Sequence, residues 1–212
     1  MVALKNEIKF YDKFYAKGGW ESGYNYDRVR NELVNLIIKP TKWKKEDRLL
    51  EIACGMGFHT NVLYSLGYNI TGLDISSVGI EEARASSTGA QFLCENTAHF
   101  IPSAPYTGIL CRGHSWYHYN LDETALNNTR RIFEWLEPNG IFVLQIATDF
   151  SGTRPKGKIH NNTVEQYLSL FEKVGTVTFI TDWKGNKLRK GDTGQRGVIV
   201  VVKKNKDGNR VK

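Results

Sequence analysis

The chain has 212 residues, of which 41% are hydrophobic, and its formal net charge is +7. That length fits one domain with a substantial core, and no stretch approaches the ~18 uninterrupted apolar residues of a membrane span. Three cysteines are too few, and odd in number, for a disulfide framework. The N-terminus also lacks the apolar segment of a signal peptide. These features predict a reduced, cytoplasmic protein with no membrane association.

The positive charge is concentrated near the C-terminus. Residues 184–212 hold ten Lys and Arg residues against Asp192 and Asp207, a net charge of +8, so residues 1–183 sum to −1. A general nucleic-acid binder is basic over a whole domain or face, and this chain is not. The charge pattern therefore favours a small-molecule partner over nucleic acid, and it does not address the oligomeric state.

The predicted elements alternate along most of the chain. An aromatic segment, FYDKFYAKGGWESGYNY, precedes a helical pattern, DRVRNELVNLII, which should stop at Pro40. Strand candidates then alternate with helices over 58–66, 77–87, 122–136 and 163–174; the strands are RLLEIA, NITGLD, AQFLCE, YTGILCR and IFVLQIA. Such alternation predicts a parallel sheet between layers of helices. The last two strands, TVTFITDW and RGVIVVVKK, are joined by a polar loop without a helix, which predicts an antiparallel hairpin.

We therefore predict one doubly wound α/β domain over residues 1–212, with a mostly parallel seven-stranded sheet. It divides into an N-terminal lid and helix (1–40), the core (48–204) and a basic tail (205–212).

The stretch LLEIACGMGFHT, residues 49–60, indicates a ligand-binding loop. A short apolar run ends at Gly55 and Gly57 and a helical pattern follows, so the backbone can approach a ligand beside a helix N-terminus. The nicotinamide fingerprint needs a small residue where Thr60 stands, and the lysine of a Walker loop is missing. The pattern therefore predicts a cofactor that has no phosphate group.

Two carboxylates suggest which cofactor this is. Asp74 ends the second strand, 17 residues after Gly57, where a carboxylate can accept hydrogen bonds from ribose hydroxyls. The alternative is a helix N-terminal charge near Ser76. Glu51, ending the first strand, would favour a positively charged ligand, such as a sulfonium with an amino group.

At this point the sequence resembles the class I S-adenosylmethionine-dependent methyltransferases. LLEIACGMG is similar to their acidic-x-Gly-x-Gly-x-Gly loop, with Ala53 in place of the first glycine. GLDIS is similar to their ribose-binding segment, and FLCENTAHF to the segment that reaches adenine. Over residues 48–204 the resemblance implies a Rossmann-like methyltransferase fold and S-adenosylmethionine as cofactor. It implies a cofactor-binding set of Glu51, Ala53, Gly55, Gly57, Asp74, Ile75, Asn96, Thr97 and Arg112.

A narrower resemblance concerns ILCRGHSWYHY, which is similar to the stretch after the fourth strand in glycine and sarcosine N-methyltransferases. It implies that Tyr11 and Arg30 hold the methionine carboxylate and that Trp20 covers the cofactor. It also implies a substrate-binding set of Tyr15, His114 and Trp116. His114 stands where that family has Asn, and IATDFSGTR lacks the arginine that grips the glycine carboxylate. The resemblance therefore implies an acceptor other than glycine.

Each of these assignments has a structural alternative. Tyr11 and Tyr15, four residues apart, are also a pattern of helix packing, and Arg30 fits a solvated helix charge. His114 fits a structural histidine as well as a substrate contact. The three cysteines end predicted strands, which with His114 raises a metal site, but without a CxxC pair we expect packed thiols and no metal.

The charged loop after the sixth strand completes the functional prediction. If that strand is parallel, its loop stands on the active-site rim; this rim loop carries Lys184, Lys187, Arg189, Lys190 and Arg196. We therefore expect a methyltransferase that acts on nitrogen of a small, anionic molecule, with His114 as the best-placed candidate base. The alternatives are an RNA methyltransferase that uses the rim loop and a non-catalytic S-adenosylmethionine-binding protein.

Overall fold

The computed structural model describes residues 2–20, 23–118, 121–153, 161–194 and 197–205. Its helices are α1 (Val2–Tyr15), α2 (Tyr26–Glu32), α3 (Lys39–Thr41), α4 (Phe58–Ser65), α5 (Ser77–Ser86), α6 (Glu123–Glu134) and α7 (Val164–Phe171). Its strands are β1 (Leu49–Ile52), β2 (Ile70–Asp74), β3 (Gln91–Cys94), β4 (Tyr106–Arg112), β5 (Leu136–Ile146), β6 (Gly175–Thr181) and β7 (Val198–Lys204). Among these residues no helix is long and apolar enough to cross a membrane.

The strands form one sheet in the order β3-β2-β1-β4-β5-β7-β6. Strands β1 to β5 run parallel to one another, and β7 runs antiparallel to both β5 and β6. Strand β6 is therefore parallel to β5, so the predicted fold and the terminal hairpin are confirmed. The chain order reverses between β1 and β4, and ligands of such sheets bind at the carboxyl ends of the strands beside that reversal.

Each face of the sheet packs against its own helices. On one face Leu110 and Val143 join the helical stretch around Leu33 in a fully buried cluster. On the other face Cys111 and Leu144 pack with α6 and α7. The alternation of side chains along each strand accounts for this division. It places Arg112 and Gln145, two residues beyond Leu110 and Val143, on the face that α2 covers.

The expected helix end at Pro40 is wrong, because the helix runs through it to Thr41 and ends at Lys42, which has φ 57°. The reason is a π-helical segment, Leu33–Ile38, between α2 and α3. Proline stops a helix by removing a donor and crowding the preceding turn. A wider turn directly before it relieves that crowding.

The turn Pro138-Asn139-Gly140 lies inside β5. Leu136 already pairs with Tyr106, and the pairing resumes only at Ile141 with Gly108. Leu136 is 2% exposed, so its burial holds the chain in the sheet before the turn. Arg196 of the rim loop and tail residues 206–212 lie outside the described residues.

Candidate functional site

The glycine loop leaves β1 at its carboxyl end. Ala53, Gly55 and Gly57 have φ of 59°, 57° and 78°, so three of five successive residues are left-handed. At Gly57 a Cβ atom would lie 2.6 Å from the Phe92 ring, and at Gly55 it would lie 3.0 Å from the Tyr15 hydroxyl oxygen. Both positions therefore require glycine. The loop is the tight turn that the sequence predicts.

Asp74 ends β2 beside this loop. One carboxylate oxygen accepts the Gly55 N–H and the other the Ser76 N–H, each at 2.9 Å. The side chain is 5% exposed, and burial raises the pKa of its carboxyl although these backbone N–H groups lower it. Asp74 thus does cap the turn before α5. Each oxygen keeps a further lone pair, so the ribose contact stays a prediction.

Glu51 lies almost fully buried on β1 and accepts a hydrogen bond from the Thr60 hydroxyl at 2.5 Å. Thr60 occupies the position where a nicotinamide-binding loop would have a small residue. Its hydroxyl fixes the Glu51 carboxylate against α4, so the departure from that fingerprint has a structural role.

Asn96 and Thr97 lie in the segment after β3, and Ile75 directly follows the neighbouring strand β2. The Asn96 side-chain oxygen accepts the Ala98 N–H at 2.8 Å, which closes a local turn. The buried Thr97 hydroxyl lies 3.4 Å from His114 Nε2. Thr97 thus contacts the loop after β4, and its expected contact with adenine stays a prediction.

His114 begins a short 3₁₀ helix, Ser115–Tyr117, directly after β4. Its Nδ1 accepts the Trp116 N–H at 3.2 Å, and its ring lies 4.4 Å from the Trp116 ring. Because Nδ1 is the acceptor, we assign the proton of the neutral ring to Nε2. Burial, and to a lesser degree His118, lowers the pKa of His114 to about 3.

These contacts argue against His114 as a general base. A group with a pKa of about 3 has little affinity for a proton at neutral pH, and its lone pair already accepts a backbone N–H. Nε2 can still donate, either to the Thr97 hydroxyl 3.4 Å away or to a ligand. His114 is therefore suited to hydrogen-bonding a ligand beside Trp116, not to removing its proton.

Helix α1 lies across the carboxyl ends of the strands. The Ser115 hydroxyl after β4 donates to the Glu7 carboxylate at 2.9 Å. The Ser76 hydroxyl after β2 donates to the Asp12 carboxylate at 2.6 Å. Strand β1, with its glycine loop, lies between these two strands. One helix therefore spans the predicted cofactor cleft.

Tyr15 ends α1 at the glycine loop. It is 8% exposed, and its ring packs against Gly55 and Gly79, where added Cβ atoms would lie 3.2 Å and 2.9 Å from ring atoms. Tyr11 stacks on Tyr15 with ring centroids 6.0 Å apart. The Tyr15 ring therefore lies against the glycine loop and α5, and the substrate role predicted for Tyr15 stays a prediction.

The other predicted lid residues lie further out. Trp20 is 67% exposed and packs on Phe14, with ring centroids 4.7 Å apart. Arg30 is exposed on α2. In this structure neither is buried at the cleft, and their contact with the cofactor stays a prediction.

A partly buried polar cluster, which sequence reasoning missed apart from Arg112, lies at the carboxyl ends of β4 and β5. Arg112 donates from Nη1 to the Tyr24 hydroxyl at 2.5 Å. Gln145, the register partner of Arg112, donates from Nε2 to the Glu32 carboxylate. His59 lies buried below Tyr24, with ring centroids 5.4 Å apart, and burial, then Arg112, lowers its pKa well below 6.5. The available signal was Gln145, the polar residue inside the apolar run IFVLQIA.

The cysteines do not gather at the site. Cys54 and Cys111 are buried, whereas Cys94 is exposed. Burial raises the pKa of the Cys111 thiol well above its usual value, so this thiol is a packed, protonated group. Within the described ranges, no three His, Cys, Asp or Glu side chains are grouped so that they could hold a metal ion.

The rim loop follows β6, which is parallel to β5, so it stands at the same edge of the sheet as the glycine loop. Its origin lies three strand spacings from β4, or about 14 Å. Asp182 organises its start by accepting the N–H groups of Lys184 and Asn186 at 2.8 and 2.9 Å. The remaining described basic residues, Lys187, Arg189 and Lys190, are exposed.

Part of the chain matches a known family. Residues 49–140 match the family model described as a methyltransferase domain, a range that contains the glycine loop, Asp74 and β4. Among curated proteins, none matches the sequence.

Solved structures share the fold across nearly the whole chain. N-methyltransferase NodS from Bradyrhizobium japonicum, in complex with S-adenosylhomocysteine, is 14% identical with a TM-score of 0.70, covering 93% of this chain and 97% of that one. Magnesium protoporphyrin IX methyltransferase from Synechocystis, with bound S-adenosylmethionine, is 13% identical with a TM-score of 0.67, covering 95% and 97%. The [4+2]-cyclase SpnF is 17% identical with a TM-score of 0.64, covering 84% and 82%. At such identities the likeness concerns the fold alone.

Proposed function

We propose that this protein is an S-adenosylmethionine-dependent methyltransferase that transfers the methyl group to nitrogen of a small, anionic molecule. The match of residues 49–140 to a methyltransferase domain and the fold shared with such enzymes support the first part of the proposal. The observation that carries the proposal is the position of the rim loop. Its exposed Lys187, Arg189 and Lys190 stand at the same edge of the sheet as the glycine loop. Cations at that edge attract an anion toward the cleft.

Arg112 supports the cofactor part of the proposal. Its guanidinium lies at the carboxyl end of β4, and within the described chain no carboxylate oxygen lies within 4 Å of it. A partly buried cation without a carboxylate partner is a favourable site for the carboxylate of a ligand. This fits the cofactor-binding role predicted for Arg112.

The residues present fit the cofactor and constrain the acceptor. S-adenosylmethionine supplies a methyl group on a positively charged sulfur, and transfer to a nucleophile is a direct displacement. Holding the nucleophile in line with that bond contributes about 7–11 kcal/mol. His114 is too weak a base to take a proton from an ammonium group at neutral pH. We therefore expect an acceptor nitrogen that is substantially unprotonated at the working pH.

The test is methyl transfer by the purified protein to a panel of amines with and without a carboxylate. We expect turnover of anionic members, with a KM that rises in the triple variant Lys187→Gln, Arg189→Gln, Lys190→Gln. The rise should shrink at high salt, because screening weakens exposed charges. Affinity for S-adenosylhomocysteine should not change, since the loop contributes little to the core.

Two results would contradict the proposal. One is tight binding of fluorescent RNA by the parent protein, with a steep dependence on salt that the triple variant loses; this would favour an RNA methyltransferase. The other is binding of S-adenosylhomocysteine without methylation of any panel member or of a metabolite extract, which would favour a non-catalytic binding protein.

A further inference from the structure

The outward side of α1 and of the turn after it carries lysines and aromatic rings but no acid. Between residues 6 and 20 the exposed side chains are those of Asn6, Lys9, Phe10, Lys13, Ala16, Lys17 and Trp20. The two carboxylates of this stretch, Glu7 and Asp12, instead accept hydrogen bonds from serines at the strand ends. The outward side is therefore cationic and aromatic.

Three rings form a continuous row along this side. Phe10 stacks on Phe14, with ring centroids 6.2 Å apart, and Trp20 packs on Phe14 with centroids 4.7 Å apart. Phe10 is 61% exposed and Trp20 is 67% exposed. Single exposed apolar side chains are ordinary on protein surfaces, whereas contiguous ones mark a surface that contacts a partner.

The lysines lie beside this row of rings. Lys9 and Lys13 are four residues apart on α1, as are Phe10 and Phe14, so the two pairs form adjacent rows on the helix. Lys17 follows in the turn after the helix. Among the residues that the structure describes, no carboxylate oxygen lies within 4 Å of these three ammonium groups. The surface therefore favours a partner that is anionic and also accepts apolar side chains.

Charge decides between the possible occupants of this surface. A second copy of the chain would bring one row of lysines against another through a symmetric contact, which like charges oppose. The longer segments outside the described residues, 154–160 and 206–212, each carry more Lys and Arg than Asp and Glu, so charge opposes their packing here as well. A membrane with anionic lipids offers negative headgroups above an apolar layer, which matches both the lysines and the rings.

We propose that the outer face of α1, formed by Lys9, Phe10, Lys13, Lys17 and Trp20, binds the surface of membranes that contain anionic lipids. The rings enter the interface, and the lysines contact the headgroups. The sequence-based expectation of no membrane association concerned spanning and secretory segments, which a surface contact does not need. This membrane contact goes beyond the proposed function and does not rest on it.

Sedimentation with vesicles tests the lysines. The full chain should bind vesicles of equimolar phosphatidylcholine and phosphatidylserine, and should bind phosphatidylcholine vesicles at least about 10-fold more weakly. The triple variant Lys9→Gln, Lys13→Gln, Lys17→Gln should bind the mixed vesicles about 100-fold more weakly, since each lysine near an anionic surface contributes roughly a 5-fold factor. The matched control is the rim-loop triple variant, which removes the same charge elsewhere and should change binding by less than about 3-fold.

Fluorescence and further variants test the rings. Brominated lipids quench a tryptophan that enters the bilayer, so Trp20→Phe should lose most of the quenching caused by vesicles while it keeps the binding. The double variant Phe10→Ser, Trp20→Ser should bind about 10-fold more weakly. The control Ile101→Ser, at a side chain 84% exposed before β4, should bind as the parent does. All these positions are exposed, so the variants should melt at the temperature of the parent.

Failure of the parent to bind phosphatidylserine vesicles at low salt would overturn the proposal, as would equal losses in the α1 and rim-loop triple variants. Two other results would overturn it by identifying a different occupant. One is a dimer in analytical ultracentrifugation that the Phe10→Ser, Trp20→Ser variant does not form. The other is binding of fluorescent RNA, tighter than binding of vesicles, that the α1 triple variant loses. Methyl transfer to soluble amines is measured without vesicles, so failure of the proposed function would be seen separately.

Discussion

The variant Asp74→Ala tests whether the Asp74 carboxylate contacts the cofactor or only caps the turn before α5. Asp74→Ala removes the acceptor of the Gly55 and Ser76 N–H groups, each bonded at 2.9 Å. Leaving both buried N–H groups unpaired should lower the free energy of unfolding by about 1–3 kcal/mol each. If the carboxylate also accepts both ribose hydroxyls, binding of S-adenosylhomocysteine should lose a further 2–4 kcal/mol, roughly a 30- to 700-fold rise in Kd.

The control is Asp182→Ala. Asp182 is also buried, follows β6 and accepts backbone N–H groups in the same way, from Lys184 and Asn186. Chemical denaturation should show that both variants are destabilised, and calorimetry should show that only Asp74→Ala loses affinity. A destabilised Asp74→Ala variant that binds S-adenosylhomocysteine as tightly as the parent would make Asp74 a cap alone.

The pH dependence gives a second measurement on Asp74. Because burial raises the pKa of its carboxyl, the group becomes protonated at a higher pH than an exposed aspartate. A protonated carboxyl is a weaker acceptor. Affinity for S-adenosylhomocysteine should therefore decline as the pH falls through that raised value, and the decline should be absent in Asp74→Ala.

Three other predictions follow from the cover over the cleft and the histidines. Asp12→Ala removes the contact of α1 with Ser76, so proteolysis within residues 11–26 should be faster in this variant than in the parent. S-adenosylhomocysteine should slow that proteolysis in the parent. Equal cleavage rates of the parent with and without S-adenosylhomocysteine would exclude a ligand-dependent cover. Gly79→Ala places a Cβ atom 2.9 Å from the Tyr15 ring and should cost about 1–3 kcal/mol of unfolding free energy; an unchanged melting temperature would contradict that packing. Burial lowers the pKa of His114 to about 3 and of His118 to about 4, so the unfolded chain takes up protons below pH ~6.5 that the native state does not. The free energy of unfolding should then fall with decreasing pH, by at most about 1.4 kcal/mol per unit for each partly exposed ring. His114→Gln should reduce the slope, and an unchanged slope would refute the assignment.

The sheet could be predicted from the sequence because its signals are local. Each strand is a short apolar run, and Gly55 and Gly57 indicate the glycine loop. The missing helix between β6 and β7 implied the hairpin, and the hairpin in turn implied where the rim loop stands. These inferences need only neighbouring residues and the known handedness of strand connections.

Local sequence patterns could not predict the contacts around the cleft. Glu7 meets Ser115 and Glu32 meets Gln145 across more than 100 residues of chain, and no periodicity reports such a pair. Burial, and to a lesser degree His118, lowers the pKa of His114, and neither effect can be read from residue type. The packing of Tyr15 against Gly79 likewise has no signature in the sequence.

The π-helical segment Leu33–Ile38 acts as a one-residue insertion in an otherwise continuous helix. An α-helix turns about 100° per residue, so one extra residue rotates everything before it by that angle relative to everything after it. Glu32 on the upstream side thereby faces Gln145, while Ile37 stays fully buried in the core. Deleting the exposed Asn35 would restore a regular helix and turn Glu32 away from the strand ends. The length of this helix, counted in single residues, thus sets the composition of the polar cluster below it.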